Sequence, residues 1–390
     1  MQRVSVRIQE RQEHYEVIIG AGTLTSLGAV ARRTLAPEAR RIALISNRKV
    51  FELYGKPASQ SLSGAGFKVA HWLMGEGERF KTIRTLERAL AFLSDTRLER
   101  SDAVVALGGG VVGDLAGFAS AVYLRGIAFL QVPTTLLAQV DASVGGKTAV
   151  NTSAGKNLVG AFHHPRAVVI DTDTLNTLAP RELTAGWCES VKQGAAGDAA
   201  LFDKTYNFLR RSSVVEETVK SVEGLEQLIA SQVAFKASIV AGDEREDVAR
   251  TDWRSRRILN FGHTTAHALE AATNFRRFRH GEAVGYGMLV AGEISKRLGL
   301  LDRSELESLR DAVRLCGRLP HARDLSVDEI VSRLAHDKKS VGGHLKWVLL
   351  ERVGRARIVD GREIGQRLLR ASLRTGLQGM SENKMSEGED

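Results

Sequence analysis

The stretch "AVVALGGGVVGDLAGFASAVYL" (103–124) decides the fold. A short run with β-branched residues leads into a glycine turn, and "DLAGFASAVYL" then has the composition of a helix. Gly108, Gly110 and Gly113 match the pattern G-x-G-x-x-G, whose glycines let backbone N–H groups approach a pyrophosphate at a helix N-terminus. Strand, turn and helix in this order predict a dinucleotide site, and a turn that serves only packing is the alternative.

The acidic residue that usually follows this pattern is missing. In the standard dinucleotide fold an Asp or Glu about 20 residues later binds the ribose, but "LQVPTT" (130–135) stands there. A dinucleotide at this loop is therefore expected to be held differently from the standard case.

Further strands and helices alternate around the glycine loop. "RRIALISN" (40–47) and "AVVIDTD" (167–173) are short β-branched runs that end in turn residues, and "KTIRTLERALAFLSDT" (81–96) has apolar residues at helical spacing. Residues 1–178 are therefore predicted to form an α/β, Rossmann-like domain with a mostly parallel sheet.

The second half of the chain has a different pattern. "TLAPRE" (177–182) is the predicted boundary, because Pro180 can open a helix. Residues 179–375 are predicted to form an all-helical domain, with strand character only in "KWVLLERVGRARI" (346–358). The polar tail, residues 376–390, is predicted to be disordered.

The composition is that of a globular protein with two domains. The chain has 390 residues, 43% apolar and 26% charged, and no apolar run approaches the roughly 18 residues of a membrane span. The first 20 residues alternate apolar with polar and predict an edge strand, not a signal peptide. Cys188 and Cys316 are far apart in sequence, which favours a reducing cytoplasm over a disulfide scaffold or a cysteine metal site.

The net charge of +9 bears on the partner. The densest basic patches, "RTDWRSRR" (250–257) and "RRFR" (276–279), are not accompanied by a nucleic-acid motif. We therefore expect neither a nucleic-acid nor a membrane partner. The positive balance suits a small, multiply anionic substrate.

The stretch "DASVGGKT" (141–148) ends as a phosphate-binding P-loop does. That motif needs a glycine separated by four residues from its Gly-Lys pair, and Asp141 stands there. A carboxylate would repel a triphosphate, so Lys147 requires another role.

Histidine and acidic residues cluster in the second half. "NFGHTTAHALE" (260–270) places His263 and His267 at i, i+4, a spacing that can bind zinc, but Thr264 stands where a metalloprotease has its Glu. "HGEAV" adds His280, and "GWCESVKQG" (186–194) has Glu189 and Lys192 at i, i+3. Three protein ligands and one open position would make a catalytic zinc site.

Each of these residues also has a structural alternative. A single histidine is more often a hydrogen-bonded structural residue, and Glu189 with Lys192 would be an ordinary surface pair on a helix. Any one lysine is expected to be solvated, including the set Lys147, Lys156, Lys192, Lys236, Lys338 and Lys339.

Four stretches together resemble the 3-dehydroquinate synthase family. They are "GGGVVGDLAGFASAVYLRGIAFLQVPTTLLAQVDASVGGKTAVN", "GKNLVGAFHHP", "NFGHTTAHALE" and "HGEAV". The resemblance runs from about residue 40 to 360. It implies an N-terminal NAD-binding α/β domain, a helical C-terminal domain with the site in the cleft between them, and a homodimer. It further implies NAD, one divalent metal (zinc or cobalt), and conversion of 3-deoxy-D-arabino-heptulosonate 7-phosphate to 3-dehydroquinate and phosphate.

The same resemblance implies roles for individual residues. Metal coordination falls on Glu189, His263 and His280. The catalytic positions are His267 for proton handling, Lys147, Asn260, Lys192 and Asp141. The substrate-binding positions are Asn157, Lys236, Arg256, one of Lys338 and Lys339, and Arg125, which would reach from the partner subunit. The NAD contacts are Asn47, Glu76, Gly77, Glu78, Arg79, Phe80, Lys81, Gly110, Val111, Val112, Gly113, Asp114, Thr134, Thr135, Lys147, Lys156, Thr174, Leu175, Asn176 and Thr177.

Three departures from the family pattern stand out. Gln193 replaces the usual Tyr after Lys192, and Trp187-Cys188 replace smaller residues. The segment "DEREDVARTDWRSRRILNFGH" (243–263) is about six residues longer than usual, which leaves open whether Arg256 or Arg257 binds the substrate phosphate. "GYG" (285–287) follows the last histidine of the ligand set.

Three other functions compete with this interpretation. Another sugar-phosphate cyclase, such as 2-deoxy-scyllo-inosose synthase, shares the scaffold, but Asn260, His267 and the Lys/Arg set favour a carboxylate-bearing substrate. A metal-dependent alcohol or glycerol dehydrogenase would produce NADH and would not need this many cations. A basic nucleic-acid binder would leave the histidine cluster unexplained.

Overall fold

The computed structural model describes residues 14–213, 223–340 and 345–378, and the side chains of 212–213 and 336–340 lie outside that description. The chain forms two compact units whose segments alternate along the sequence. Unit 1 contains Gly22–Val132 and Gly146–Ile170, together with the chain up to Ile18. Unit 2 contains Ile19–Ala21, Pro133–Gly145 and the chain from Asp171 onwards.

The strands build one large sheet and two hairpins. In chain order they are β1 (Glu16–Gly20), β2 (Arg41–Asn47), β3 (Lys68–Met74), β4 (Ala103–Gly108), β5 (Ala128–Pro133), β6 (Lys147–Thr152), β7 (Gly155–Phe162), β8 (Ala167–Asp171), β9 (Lys346–Arg352) and β10 (Arg355–Asp360). The six-stranded sheet has the order β1-β8-β5-β4-β2-β3. β2 pairs in parallel with β3 and β4, and β5 pairs in parallel with β8. The predicted parallel sheet is confirmed. Of the edge strand predicted for the first 20 residues, β1 covers Glu16–Gly20 and lies at the edge of the sheet, and residues 1–13 lie outside the described part of the chain.

The helices are listed here in chain order. They are α1 (Leu27–Thr34), α2 (Arg48–Val50), α3 (Lys56–Gly64), α4 (Ile83–Asp95), α5 (Gly110–Val122), α6 (Pro180–Gly197), α7 (Ala199–Ser213), α8 (Leu225–Gly242), α9 (His263–Ala272), α10 (His280–Arg297), α11 (Arg303–Leu315), α12 (Val327–Ser340) and α13 (Gln366–Gln378). The sequence places α4 and α5 correctly, and Pro180 is the first residue of α6.

The sheet has a hydrophobic core on each face. Along β2, Ile42 and Leu44 pack into one core with α1 and α3, whereas Ala43 and Ile45 pack into the other with α4 and α5. Successive side chains of a strand point to opposite faces, so a strand buried on both sides becomes a continuous apolar run. This accounts for the uninterrupted "IALI" of β2 and "AVVAL" of β4.

Several strands lack the signal that the sequence analysis used. β3 carries Lys68 and His71 and is only partly buried, and β7 is largely exposed along one side of the β6–β7 hairpin. Neither segment is a continuous apolar run, so neither was predicted.

Unit 2 is built around two helices that are buried almost throughout. In α6 every residue from Thr184 to Ala196 is buried, and in α10 every residue from Gly281 to Ser295. The helical character of this unit and the strand character of residues 346–358 were both predicted; the structure adds that β9 and β10 pair as an antiparallel hairpin. Residues 376–378 are the last of α13, and the remainder of the predicted tail lies outside the described residues.

The two cysteines lie close together in the fold. Cys188 and Cys316 are not joined by a disulfide, yet both are buried and a hydrogen bond links their thiols. That bond and burial raise the pKa of Cys188. The cysteines are therefore neighbours in the fold although they are far apart in sequence.

Over the described ranges, none of the helices combines the length and apolar character needed to cross a bilayer.

Candidate functional site

Three helices of unit 2 each supply one side chain to a candidate metal centre. Glu189 lies in the middle of the buried helix α6, while His263 and His280 are the first residues of α9 and α10. Gly262, which precedes α9, has φ 80°, a left-handed conformation that favours glycine.

Glycines bring these three helices close together. A Cβ on Gly281, next to His280, would lie 1.9 Å from the Ala185 carbonyl oxygen of α6. A Cβ on Gly287 would lie 1.9 Å from the carbonyl oxygen of Gly262. The glycines of "HGEAVGYG" thus have a structural reason, because α10 packs against α6 and the start of α9 at backbone distance.

The side chains meet at distances that suit a divalent metal. The Glu189 Oε1 atom lies 3.5 Å from Nε2 of His280 and 3.9 Å from Nε2 of His263. One ligand atom from each of the three residues lies within 4.8 Å of the others. Two imidazoles and one carboxylate are a donor set typical of a catalytic zinc site, so these residues fit the implied metal.

The spacing of His263 and His267 alone is misleading. Their rings lie nearly perpendicular, with centroids 5.7 Å apart. Among the described residues, no group of three candidate ligands contains both. His267 instead falls with Glu270 and His280 in a second group.

His263 is held as a neutral imidazole. Burial lowers its pKa well below the usual value, and Lys192 and the neighbouring histidines lower it further. Its Nδ1 lies 3.3 Å from the Phe261 carbonyl oxygen, which leaves Nε2 facing Glu189. Neutral imidazole nitrogen is the form that binds a metal.

A buried cluster of charges surrounds Glu189. Lys192 Nζ lies 2.6 Å from Glu189 Oε2 and 3.8 Å from Asp141 Oδ2, and Lys236 Nζ lies 2.6 Å from Asp141 Oδ1. Lys192 is 1% exposed and Lys236 is 8% exposed. The surface-pair interpretation of Glu189 and Lys192 is therefore wrong, and so is the expectation that these two lysines are solvated.

The charges shift one another's pKa values in opposite directions. Burial alone would raise the pKa of Asp141, but Lys236 and Lys192 lower it well below its usual range. Burial would lower the pKa of Lys192, and Glu189 and Asp141 raise it instead. For Lys236, burial outweighs Asp141 and lowers the pKa.

Asp141 lies in a helical turn (Ala138–Ala142) that three side chains hold by hydrogen bonds. Gln193 Nε2 donates to the Val140 carbonyl at 2.9 Å, and Lys236 donates to the Asp141 carbonyl. Gln139 Nε2 donates to the carbonyl oxygens of Pro133 and Asp171. Gln193, a departure from the family pattern, therefore positions Asp141.

The two arginines of the 243–263 segment, Arg256 and Arg257, make different contacts. Arg256 is 2% exposed, and its guanidinium donates to the carbonyl oxygens of Gly145 and Glu244. Arg257 donates to the Val248 carbonyl, within the same segment. Asn260 donates to the Glu246 carboxylate at 2.8 Å, a contact that sequence reasoning missed.

The residues expected to contact NAD in unit 1 follow neighbouring strands. Asn47 ends β2, where its side chain accepts a hydrogen bond from Val50 N; residues 76–81 follow β3, and 110–114 open α5 after β4. β4, β2 and β3 are adjacent parallel strands, and their carboxyl ends share one edge of the sheet. The first N–H groups of a helix have no partner within it, so the start of α5 suits a phosphate.

One buried lysine joins the expected NAD and substrate contacts of unit 1. Lys81 is 4% exposed, forms an ion pair with Asp114 and donates to Asn157 Oδ1 at 2.7 Å. Burial would lower the pKa of Lys81, but Asp114 and Glu78 raise it. Lys81 thus contacts the start of α5 through its salt bridge with Asp114 and β7 through its hydrogen bond to Asn157.

The remaining expected residues lie in several places. Lys147 is the exposed first residue of β6, Lys156 lies in β7, and Arg125 is exposed in a turn where its φ is 65°. Thr134 and Thr135 follow β5, and residues 174–177 belong to a short 3-10 helix (Thr172–Thr177) after β8. The side chains of Lys338 and Lys339 lie outside the described part of the chain.

Comparison with protein families decides the relationship. The family described as 3-dehydroquinate synthase N-terminal matches residues 71–185, and 3-dehydroquinate synthase C-terminal matches residues 186–340. The chain belongs to the 3-dehydroquinate synthase family.

Individual members of the 3-dehydroquinate synthase family are similar over nearly the whole chain. A 3-dehydroquinate synthase of Pelotomaculum thermopropionicum is 43% identical over 364 residues, covering 93% of this chain and 94% of the relative. One from Acaryochloris marina is 39% identical, covering 92% and 95%. The resemblance that the sequence motifs carry is thereby confirmed.

Solved structures of related synthases share the fold. A 2-epi-5-epi-valiolone synthase from Streptomyces hygroscopicus, with NAD+ and Zn2+ bound, has a TM-score of 0.83 and 28% identity over 96% of this chain and 99% of its own. A 2-deoxy-scyllo-inosose synthase complexed with carbaglucose-6-phosphate, NAD+ and Co2+ has a TM-score of 0.79 and 29% identity, covering 93% and 96%. This member of the 3-dehydroquinate synthase family thus has the predicted fold class.

Proposed function

We propose that this protein is a 3-dehydroquinate synthase that converts 3-deoxy-D-arabino-heptulosonate 7-phosphate to 3-dehydroquinate and phosphate. Membership of the family supports the reaction. The observation that carries the proposal is the group formed by buried Glu189 with half-buried His263 and His280, beside Lys192 and Lys236, which form ion pairs with Glu189 and Asp141. A metal donor set next to several cations suits a substrate with both hydroxyl and anionic groups.

Glu189, His263 and His280 would hold one divalent metal, zinc or cobalt. When bound, the metal acts as a Lewis acid on an oxygen of the substrate. The protein's own part is to keep the His263 imidazole neutral, since its pKa is lowered by burial, and to balance the Glu189 carboxylate with Lys192.

NAD would bind along the carboxyl-end edge of the sheet in unit 1. The contacts proposed in unit 1 are Asn47, residues 76–81, residues 110–114, Lys147 and Lys156, and those proposed in unit 2 are residues 134–135 and 174–177. NAD supplies reversible hydride transfer. Because the overall reaction is not a net oxidation, the cofactor would be restored in each turnover.

The cationic residues would bind the carboxylate and phosphate of the substrate. We assign this role to Lys192, Lys236 and Arg256, and prefer Arg256 to Arg257 because its guanidinium reaches the Gly145 turn. Asp141 and Asn260 would orient hydroxyl groups. His267 is exposed, and its ring stacks at 6.1 Å on that of His280, which suits proton exchange with substrate or water.

The finer features of the proposal concern assembly and location. We propose a cytoplasmic homodimer in which Arg125 of one subunit, with Lys147, Asn157 and one of Lys338 and Lys339, completes the substrate contacts. We also propose that residues 1–178 serve NAD binding and residues 179–375 serve metal and substrate binding, with no nucleic-acid or membrane partner.

The test measures the release of phosphate from 3-deoxy-D-arabino-heptulosonate 7-phosphate by purified protein. The assay contains metal, and NAD at a concentration far below that of the substrate. Phosphate should appear in amounts that exceed the NAD present, with no lasting NADH. Build-up of NADH equal to the product would favour a dehydrogenase instead. Glucose 6-phosphate is tested separately as an alternative substrate, since the 2-deoxy-scyllo-inosose synthase structure contains its carba analogue. Faster turnover of glucose 6-phosphate would reject the proposed substrate.

A further inference from the structure

Glu270 is a buried carboxylate beside the metal centre that has no assigned role. It lies on α9 seven residues after His263, and so on the same helix face as His263 and His267. Only 3% of its surface is exposed. Its Oε1 lies 3.5 Å from Nδ1 of His280, a residue of another helix.

His280 therefore faces a carboxylate with each of its ring nitrogens. Nε2 lies 3.5 Å from Glu189 and Nδ1 lies 3.5 Å from Glu270, a distance at the outer limit of a hydrogen bond. A neutral imidazole carries one N–H, so the carboxylate that accepts it determines which nitrogen keeps its lone pair.

His263 shows the same arrangement with a different acceptor. Its Nδ1 faces the Phe261 carbonyl at 3.3 Å, while Nε2 faces Glu189. Both histidines thus turn Nδ1 towards an oxygen of the protein and Nε2 towards the common carboxylate. For His263 the acceptor is backbone, but for His280 it is a side chain that can be changed.

We propose that Glu270 is a positioning residue that accepts the Nδ1 hydrogen of His280 and thereby holds Nε2 towards the divalent metal. This inference rests on the proposed metal site at Glu189, His263 and His280. Carboxylates that orient a metal-binding histidine in this way commonly contribute 10- to 100-fold to metal affinity.

The second ligand group provides the competing assignment. One ligand atom from each of His267, Glu270 and His280 lies within 4.8 Å of the others, so Glu270 would coordinate the metal itself if that group were occupied. We favour the positioning role because all three ligands of the first group are buried or half-buried and its Glu189 pairs with Lys192, whereas the second group includes His267, which is exposed.

The experiment is a titration of metal-free protein with Co2+, followed by its visible absorption and by equilibrium dialysis. Glu270→Leu should bind one Co2+ about 10- to 100-fold more weakly, because His280 loses the acceptor that orients it. Glu270→Gln should recover most of that affinity, since its amide oxygen also accepts the Nδ1 hydrogen. Wild-type affinity in Glu270→Leu would overturn the proposal, and so would loss of binding in Glu270→Gln as complete as in Glu189→Gln.

Two further variants keep the outcomes distinct. Glu293→Gln alters another buried carboxylate, 2% exposed on α10, which pairs with Arg310 and Arg297, and it should leave Co2+ affinity unchanged. Glu189→Gln tests the metal site itself. If Glu189→Gln binds Co2+ as the wild type does, the proposed metal site fails; if only the Glu270 variants do, the positioning role alone fails.

Discussion

The ammonium group of Lys192 lies 2.6 Å from the Glu189 carboxylate one turn earlier in α6, and both side chains are almost completely buried. In water such an i, i+3 pair contributes a few tenths of a kcal/mol. Inside a helix buried on all sides, each charge depends on the other, because removal of one leaves an uncompensated buried charge. The Lys192 charge therefore also determines how much a bound metal ion stabilises the buried Glu189 carboxylate.

Replacement of Lys192 by methionine should destabilise the metal-free protein more than the metal-loaded one. Without metal, Glu189 loses its counter-charge, at a cost of about 3 to 5 kcal/mol; a bound cation replaces part of that charge. Thermal unfolding with saturating Zn2+ and with a chelator provides the comparison. An equal loss of stability under both conditions would show that Glu189 does not face the metal.

Metal occupancy should distinguish the metal ligands Glu189 and His280 from His267. After dialysis, His280→Ala and Glu189→Ala should retain little metal, because each removes a ligand. His267→Ala should stay nearly fully loaded yet turn over roughly 100-fold or more slowly, as expected for loss of a proton-handling group. Metal analysis of the purified variants checks this, and loss of metal in His267→Ala with retention in His280→Ala would reverse the assignment.

Gln193 should matter for catalysis through Asp141. Gln193→Met leaves the buried Val140 carbonyl without its donor, which costs about 1 to 3 kcal/mol. The turn that carries Asp141 then shifts, and kcat should fall roughly 10- to 100-fold.

A matched control for Gln193 is available on α8. The buried Gln232 amide donates to the Ser190 carbonyl and the Thr205 hydroxyl, neither of which belongs to the Asp141 turn. Gln232→Met should lose similar stability in chemical unfolding while kcat changes much less. Equal losses of kcat in both variants would point to general destabilisation.

Tyr286 should give the protein an alkaline sensitivity. Burial raises its pKa to about 12, and its hydroxyl donates to the Pro320 carbonyl at 2.9 Å. Because the folded pKa lies above the unfolded value near 10, its contribution to stability is complete below pH 10 and is lost as the pH rises to about 12. The difference between a pKa of 10 and one of about 12 corresponds to about 2.7 kcal/mol of unfolding free energy.

Urea unfolding at pH 8 and at several values from 10 to 12 tests this role of Tyr286. Tyr286→Phe should be less stable by about 1 kcal/mol at pH 8 and should lose less additional stability above pH 10 than the wild type. Parallel pH profiles of the two proteins would contradict the expectation.

Much of the fold could be predicted because its signals are local. The buried strands β2, β4 and β8 are continuous apolar runs, α4 has helical periodicity, and Pro180 opens α6. Partly exposed strands such as β3 were missed, since burial on one side only leaves no apolar run. The family could likewise be predicted from the sequence, because its motifs are long and specific.

The candidate site could be predicted from the sequence only in part. Its residue types and the family motifs pointed to Glu189, His263 and His280, whereas helix spacing alone favoured His263 with His267. Spacing describes neighbours on one helix, but the donor group combines the middle of α6 with the first residues of α9 and α10.

The sequence by itself determined the order of strands and helices, the glycine loop after β4 and the kinds of side chain available for chemistry. Only the tertiary structure decided the environment of each one. It buries Lys192 and Lys236, brings Cys188 against Cys316, and sets Glu270 behind His280. The physical reason is that periodicity reports local backbone geometry, whereas burial, pKa shifts and ligand geometry depend on contacts between segments far apart in the chain.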